Sequence, residues 1–210
     1  MSYPLVTVVT ATRGWCDTLF RRCIPSVQAQ TYPALEHLIV SEPDPQLRQA
    51  IGVWRARVPI RYIETGPGRG ERDLRHDQPG AAAYGLGAAE AGGDIVAYCG
   101  DDDELLEHHV RTAVHALVET GADFTTSMVD FQVGGTHKAM IGDGTLRLCT
   151  LDTISIVHRR RCLEVANWRA ASGVADWQLV TDWAAGGLRH HHLPRVTAIH
   201  HDGRYSEVAG

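Results

Sequence analysis

An unbroken acidic run follows the apolar residues 95–99 of the sequence and consists of Asp101, Asp102, Asp103 and Glu104. Carboxylates this close repel one another unless a cation or the N-terminus of a helix compensates their charge. Mg²⁺ prefers carboxylate oxygens and is often shared between them and the phosphates of a substrate. The run therefore predicts a site for a divalent cation and a diphosphate.

The same residues have a simpler interpretation as the start of a helix. Apolar residues recur at helical spacing from position 105 to position 118. One acidic residue before such a helix accepts hydrogen bonds from its first N–H groups and complements its dipole. Three consecutive aspartates exceed the need of a cap, so the sequence favours the cation and diphosphate site.

Two other positions carry side chains that could act at such a site. His200 and His201 follow the last apolar run, where a ring nitrogen could bind the metal; a core-packed or solvated histidine is the alternative. Asp176 lies between Ala175 and Trp177 at a predicted helix start. It could be a general base beside an apolar wall that raises its pKa, or only a helix cap, and the residues leave both interpretations open.

A glycine-rich stretch at 66–70 resembles a dinucleotide-binding fingerprint only superficially, because it follows the third predicted strand and opens no helix. Three arginines, Arg69, Arg72 and Arg75, lie in and after it. Their planar guanidinium groups suit phosphate recognition, so this segment could close over a diphosphate. A solvated loop is the alternative, and the residues leave the two open.

The elements that must position these residues alternate between strand and helix in the first half of the chain. Strands are predicted at 5–10, 37–40, 60–63 and 95–99, and helices at 18–30, 46–57 and 80–91. This alternation predicts an α/β fold with a Rossmann-like, mostly parallel central sheet flanked by helices. Ligands of such sheets bind at the carboxyl ends of the strands. Thr12, Glu42 and the three aspartates all lie at predicted strand ends.

The second half is less regular but continues the same pattern. Strands are predicted at 124–131, 154–157, 188–193 and 196–200, helices at 174–185 and from 159, and a flexible loop at 134–144. The sequence contains no repeat, low-complexity tract or linker, so we expect one domain over residues 1–210.

Charge, hydropathy and cysteine content disfavour a nucleic-acid-binding, a membrane-spanning and a secreted protein. The formal net charge of the 210 residues is −5, which disfavours binding to nucleic acid or to an anionic membrane. No apolar run has the length of a membrane span, and the N-terminus resembles a first strand and not a signal peptide. The five cysteines form no CxxC pair and are odd in number, which predicts a reducing, cytoplasmic location.

The order of these features resembles that of the family 2 glycosyltransferases, which have the GT-A fold. The resemblance runs from about residue 5 to residue 201, and its most specific part is Val6-Thr7-Val8-Val9-Thr10-Ala11-Thr12-Arg13, Ser26-Val27, Gln30-Thr31-Tyr32-Pro33 and Glu36-His37-Leu38-Ile39-Val40. The aspartate triplet is similar to the metal-binding DxD element of the family. Asp176-Trp177 is similar to its Asp-Trp element, whose Asp is the catalytic base, and His200-His201 to its late metal-site histidine.

The resemblance implies a role for each matching residue. It implies a nucleotide-sugar site, which Arg75 joins from the arginine-containing segment, at Thr10, Ala11, Thr12, Arg13, Glu42, Arg75, Asp101 and Asp102. It implies a Mn²⁺ or Mg²⁺ site at Asp101, Asp103, His200 and His201. Asp176 is implied to take the proton from an acceptor hydroxyl. Residues 1–103 would bind the donor and residues 104–210 the acceptor.

The expected activity is metal-dependent, inverting transfer of a sugar from a nucleoside-diphosphate donor to a hydroxyl acceptor. The acceptor, the donor sugar and its base are left open, as is a homo-oligomer. Three positions depart from the family pattern: Ala82-Ala83 replace an Arg-Asn pair, Ser41-Glu42 a strand-end Asp, and Gly100 a further Asp. The alternatives are a nucleotidyltransferase and an inactive nucleotide-binding protein of the same fold.

Overall fold

The computed structural model describes residues 3–66, 80–169 and 174–202. Within these ranges the strands are β1 (Val6–Thr12), β2 (Leu35–Ser41), β3 (Ile60–Glu64), β4 (Ile95–Gly100), β5 (Glu104–Leu105), β6 (Phe124–Val133), β7 (Thr136–Ile141), β8 (Val157–Arg159) and β9 (His190–His201). The α-helices are α1 (Ile24–Gln28), α2 (Pro45–Val53), α3 (Ala81–Ala89), α4 (His109–Thr120) and α5 (Ala175–Ala185). A π-helical turn, Leu19–Cys23, precedes α1, and two 3₁₀ turns, Thr153–Ser155 and Arg160–Glu164, flank β8.

One sheet contains all nine of these strands, in the order β3-β2-β1-β4-β8-β6-β9-β5, with β7 paired to β6 outside that path. Strands β1 to β4 are parallel to one another, and β6 is parallel to β9. The remaining pairs, β4–β8, β6–β8, β5–β9 and β6–β7, are antiparallel. The α/β class is confirmed, and so is the parallel arrangement of the strands of the first half; the sheet as a whole is mixed and not purely parallel.

Local sequence explains the regular first half. Strand β1 is buried along its whole length, as expected for a β-branched run in the middle of a sheet. Helix α2 begins where Asp44 accepts hydrogen bonds from the N–H groups of Gln46 and Leu47, and Pro45 occupies its first turn. Two apolar cores, one on each face of the sheet, hold the helices against it.

Helix α3 packs unusually close to the sheet. A Cβ atom at Gly87 would overlap Val9 Cγ1 of β1 and lie 3.0 Å from Val40 Cγ2 of β2. The glycine therefore permits a helix-to-sheet distance that a larger residue does not.

The structure corrects the predicted elements of the second half. Residues 134–144, predicted as a flexible loop, form a turn and the strand β7, because Gly134 and Gly135 adopt positive φ angles of 57° and 76° that close a hairpin with β6. The predicted strand at 154–157 is a 3₁₀ turn followed by β8, and the helix predicted from 159 is a second 3₁₀ turn. The two closing strands are one strand, β9. No helix in the described ranges combines the length and the apolar content that crossing a bilayer requires.

Candidate functional site

The sheet topology brings the acidic run and the late histidines to one edge. Strand β8 is antiparallel to β4, so its start lies beside the end of β4. Strand β5 is antiparallel to β9 and places Glu104 opposite Ile199. The carboxyl ends of β1, β4 and β9 and the turn before β8 therefore meet, and we call this region the acidic corner: Asp101, Asp102, Asp103, Asp152 and His200.

Asp103 is the buried member of the aspartate triplet, with 5% of its surface exposed. Its Oδ1 accepts a hydrogen bond of 3.0 Å from the backbone N–H of His201. Burial, followed by the charges of Asp152 and Asp102, holds the pKa of Asp103 well above its usual value. Its Oδ1 therefore links the turn after β4 to β9, and the role of Asp103 as a metal ligand stays a prediction.

Asp101 and Asp102 are half-buried and lie on the more open side of the run. The Sγ atom of Cys16 lies 3.5 Å from Asp101 Oδ2, which ties the segment after β1 to the acidic corner. Arg22 Nη1 donates to the backbone oxygen of Asp102 at 3.4 Å. Burial and then the charge of Asp101 raise the pKa of Asp102.

His200 lies among these carboxylates, and its nearest acidic neighbour is a residue that the sequence analysis missed. Its Nδ1 lies 2.7 Å from Asp152 Oδ2 and 3.9 Å from Asp103 Oδ1. Burial opposes protonation of His200, but Asp152, Asp103 and Asp102 outweigh it and raise the pKa to about 9. A proton on His200 balances part of the charge of the acidic corner, and a metal ion that binds a ring nitrogen of His200 would have to displace it.

His201 points away from this cluster. Its Nε2 lies 2.9 Å from Glu104 Oε1, and only 9% of the residue is exposed. Of the two histidines that the sequence proposed for the metal, the structure brings only His200 together with the aspartates.

Asp176 occupies the first turn of α5 and is mostly buried. Its Oδ1 accepts the N–H of Trp177 at 2.7 Å, and its Oδ2 accepts the hydroxyl of Thr153 at 3.4 Å. Burial is the main cause that raises the pKa of Asp176, and the charge of Asp152 adds to it. A carboxylate with a raised pKa is suited to accept a proton.

The residues predicted from the end of β1 separate into two groups. Thr10 is fully buried, and its hydroxyl lies 2.9 Å from His37 Nε2 and 3.2 Å from Cys23 Sγ. These contacts link β1 to β2 and to the helical turn before α1, and the role of Thr10 at a nucleotide stays a prediction. Ala11 and Thr12, the last two residues of β1, are buried, and Arg13 is the first exposed residue after the strand; the Thr12 hydroxyl donates to Gly14 O at 2.9 Å and shapes this loop.

The end of β2 lies next to the same loop. Asp44 Oδ2 accepts the N–H of Trp15 at 2.7 Å and so joins the segments after β1 and β2. Glu42 is half-buried beside this link, and its carbonyl oxygen lies 3.5 Å from the hydroxyl of Tyr62. Arg75, together with Arg69 and Arg72, lies outside the described residues.

Asp152 and Thr153 are the site residues that sequence reasoning did not find. Their signal was local: an Asp-Thr pair is typical of the start of a capped turn, and Asp152 Oδ1 does accept the N–H of Ile154 at 3.1 Å. The capped turn was not predicted because residues 154–157 were assigned to a strand. That this turn faces β4 depended on the antiparallel pairing of β8, which no local pattern predicts.

The donor set of the acidic corner suits a hard divalent cation in its chemistry, since it combines carboxylate oxygens with one imidazole nitrogen. His200 Nδ1 is enclosed and forms no hydrogen bond of normal geometry to the described residues. In the same ranges, no three Asp, Glu, His or Cys side chains are arranged as a closed ligand set. The residues therefore fit a cation by type, and their arrangement is not that of a preformed metal site.

No protein-family model matches this chain, and no curated protein matches its sequence. Solved structures are similar in fold. The mannosyltransferase PcManGT from Pyrobaculum calidifontis, in complex with GDP-Man and Mn²⁺, matches with a TM-score of 0.71 and 18% identity over 95% of this chain and 57% of that one. TarS 1-349 from S. aureus, in complex with UDP-GlcNAc, matches with a TM-score of 0.72 and 14% identity over 98% and 61%.

The chain thus spans less than two thirds of the length of these two neighbours. At such low identity the similarity concerns the backbone and not the ligands. The mixed sheet with helices on both faces, and its match to both structures over nearly the whole chain, show that this protein has the GT-A fold of these glycosyltransferases.

Proposed function

We propose that this protein is a glycosyltransferase that moves a sugar from a nucleoside-diphosphate donor to the hydroxyl group of an acceptor. The observation that carries the proposal is the separation of two kinds of acid at one sheet edge. The acidic corner suits a cation and a diphosphate, and Asp176 lies on the other side of Asp152 with a raised pKa. Both GT-A neighbours were solved with nucleotide sugars.

The donor half, residues 1–103, would bind the nucleotide. Thr12 at the end of β1, Arg13 after it and Glu42 after β2 lie at the strand ends where a nucleotide binds in such sheets. A Mn²⁺ or Mg²⁺ would be held by Asp101 or Asp102 together with His200, and its chemistry would be to neutralise the charge of the leaving diphosphate. Asp103 and His201 would support this site from its buried side. Asp103 accepts the backbone N–H of His201 on β9, and the His201 ring contacts Glu104 of β5.

Asp176 would act on the acceptor, which residues 104–210 would bind. The acceptor oxygen attacks the anomeric carbon while Asp176 takes its proton, and the bond between that carbon and the diphosphate oxygen breaks with its electron pair leaving on the diphosphate. A single displacement of this kind inverts the anomeric centre. Burial raises the pKa of Asp176, which makes the carboxylate a stronger base for this proton than an exposed aspartate.

The test combines donor binding with product analysis. Thermal unfolding is measured with UDP-GlcNAc and GDP-Man, each with and without Mn²⁺, and a donor at one hundred times its Kd should stabilise the fold by about 2.7 kcal/mol. Release of nucleoside diphosphate is then followed for the wild type and for Asp176→Asn. We expect the variant to bind the donor unchanged and to lose transfer by about 10²–10⁴-fold.

Asp182→Asn is the matched control, because Asp182 lies on the same helix and is paired with Arg169 at 3.0 Å. It should transfer like the wild type. Release of pyrophosphate would indicate nucleotidyl transfer instead, and an Asp176→Asn variant as active as the wild type would refute the assignment of the base.

A further inference from the structure

A short turn connects the two sides of the proposed active site. The 3₁₀ turn Thr153–Ser155 is capped by Asp152, whose Oδ1 accepts the N–H of Ile154 at 3.1 Å. The hydroxyl of Ser155 donates to the backbone oxygen of Asp152 at 2.6 Å. Ile154 and Ser155 are buried, so the turn is anchored in the core and β8 follows it directly.

Two consecutive residues of this turn contact two different functional groups. Asp152 uses its second oxygen, Oδ2, to contact His200 Nδ1 at 2.7 Å. The next residue, Thr153, directs its hydroxyl to Asp176 Oδ2 at 3.4 Å. A rigid turn therefore links His200, on the cation side, to the carboxylate on the acceptor side.

We propose that Thr153 is a positioning residue for Asp176: its hydroxyl donates to Oδ2 and orients the carboxylate toward the acceptor. This inference rests on the proposed function. Asp176 Oδ1 is already held by the N–H of Trp177 at 2.7 Å, so a second donor on the other oxygen fixes the rotation of the carboxylate plane. Orientation of a base is worth a large part of its catalytic effect.

The direction of the pH effect follows from the groups that face Asp176. Among the described residues, burial and the charge of Asp152 raise the pKa of Asp176, while the N–H of Trp177 and the hydroxyl of Thr153 lower it. A donated hydrogen bond stabilises the ionised carboxylate. Removing the Thr153 hydroxyl should therefore raise the pKa of Asp176 and move the acidic limb of the pH–rate profile to higher pH.

The test compares Thr153→Val, which keeps the shape and loses the donor, with Thr153→Ser, which keeps the donor. Activity is measured as release of nucleoside diphosphate from the donor sugar, with water as acceptor. For Thr153→Val we expect kcat to fall about tenfold, KM for the donor to stay unchanged and the acidic limb to move up. Thr153→Ser should restore both kcat and the limb. Thr153→Ala is measured alongside, in case valine packs badly in the turn.

Thr181→Val is the matched control, because Thr181 also lies on α5 but donates only to backbone oxygens, those of Trp177 and Gln178. It should leave the pH profile unchanged. If the wild type releases nucleoside diphosphate and Thr153→Val matches it in kcat and in the acidic limb, the inference is overturned and the proposed function stands. A wild type that releases no nucleoside diphosphate from any donor, and whose thermal stability no nucleotide sugar raises with or without Mn²⁺, overturns both.

Discussion

At the residue scale, Asp103 shows how one carboxylate of an acidic run can serve the fold while its two neighbours stay more exposed. It is the most buried of the three aspartates, and it accepts the backbone N–H of His201. Burial and the charges of Asp152 and Asp102 raise its pKa. Its negative charge is therefore unfavourable in the folded state, whereas its oxygen atoms are needed as hydrogen-bond acceptors.

Asp103→Asn and Asp103→Ala should separate these two contributions. Asparagine keeps an acceptor for the His201 N–H and removes the repelled charge, so we expect a melting temperature equal to or above that of the wild type at pH 7. Alanine leaves the buried N–H unpaired, which costs about 1–3 kcal/mol. Thermal unfolding of both variants checks this, and an asparagine variant as unstable as the alanine variant would contradict it.

The acidic run could be predicted from sequence because consecutive charges after an apolar strand are a local signal. The different environments of the three aspartates could not be predicted from sequence. Asp103 is buried where it accepts an N–H from β9, which lies 98 positions later in the chain. The same limit explains why His200 and His201 were not separated. Which of them faces the carboxylates depends on the register between β5 and β9.

At the element scale, helix α3 lies against the sheet through Gly87, and helix α2 contains Gly52 in open space. Both glycines lie inside helices, where alanine has the higher intrinsic propensity by about 1 kcal/mol. Their surroundings differ, because a Cβ at position 52 meets no heavy atom within 4 Å, whereas one at position 87 overlaps Val9.

Gly87→Ala and Gly52→Ala should therefore have opposite effects. We expect Gly87→Ala to destabilise the fold by about 1–3 kcal/mol, because overpacking forces α3 away from the sheet. Gly52→Ala should stabilise it by about 0.5–1 kcal/mol. Urea unfolding measures both changes, and a neutral or stabilising Gly87→Ala would show that the packing of α3 is looser than described.

Elements with a clear period could be predicted from sequence, and those that depend on pairing could not. The β-branched run of β1 and the capped start of α2 carry local signals, and both elements were confirmed. Residues 134–144 were wrongly predicted as a loop, because strand β7 has a mostly exposed and irregular pattern and exists through its pairing with β6. The mixed character of the sheet has the same origin in β8.

At the scale of the whole molecule, two buried histidines make the stability depend on pH. His109 on α4 bonds to Thr197 Oγ1 of β9 at 2.8 Å, and His158 on β8 bonds to the hydroxyl of Tyr98 at 2.8 Å. Burial lowers the pKa of each to about 4. The unfolded chain takes up protons below about pH 6.5, and the folded protein does so only near pH 4. This contribution to stability is therefore complete above pH 6.5 and is lost as the pH falls toward 4.

His109→Gln tests this contribution, since glutamine keeps a hydrogen-bonding group for Thr197 and cannot be protonated. Between pH 7 and pH 5 we expect the variant to lose about 2 kcal/mol less stability than the wild type. His115→Gln, an exposed position on the same helix, is the control and should follow the wild type. Urea unfolding at the two pH values is the measurement, and parallel losses for all three proteins would contradict the prediction.

The comparison between variants cancels the opposite effect of Asp102, Asp103 and Asp176, whose raised pKa values favour the folded state on acidification.

Properties of the whole protein that depend on other molecules stay predictions. The cytoplasmic location, the acceptor, the donor base and any homo-oligomer depend on partners that neither residue spacing nor the GT-A fold identifies. The fold class itself could be predicted, because the alternating elements and the opening sequence extend over most of the chain.

Strand β9 determines when the acidic corner can form during synthesis. The acidic corner is made of side chains near position 102, a turn at 152–155 and the far end of β9 at position 200. Residues up to position 200 must therefore have left the ribosome before the aspartates meet their histidine. Until then His200 does not balance the mutual repulsion of the aspartates, so the acidic corner forms only after β9 has joined the sheet.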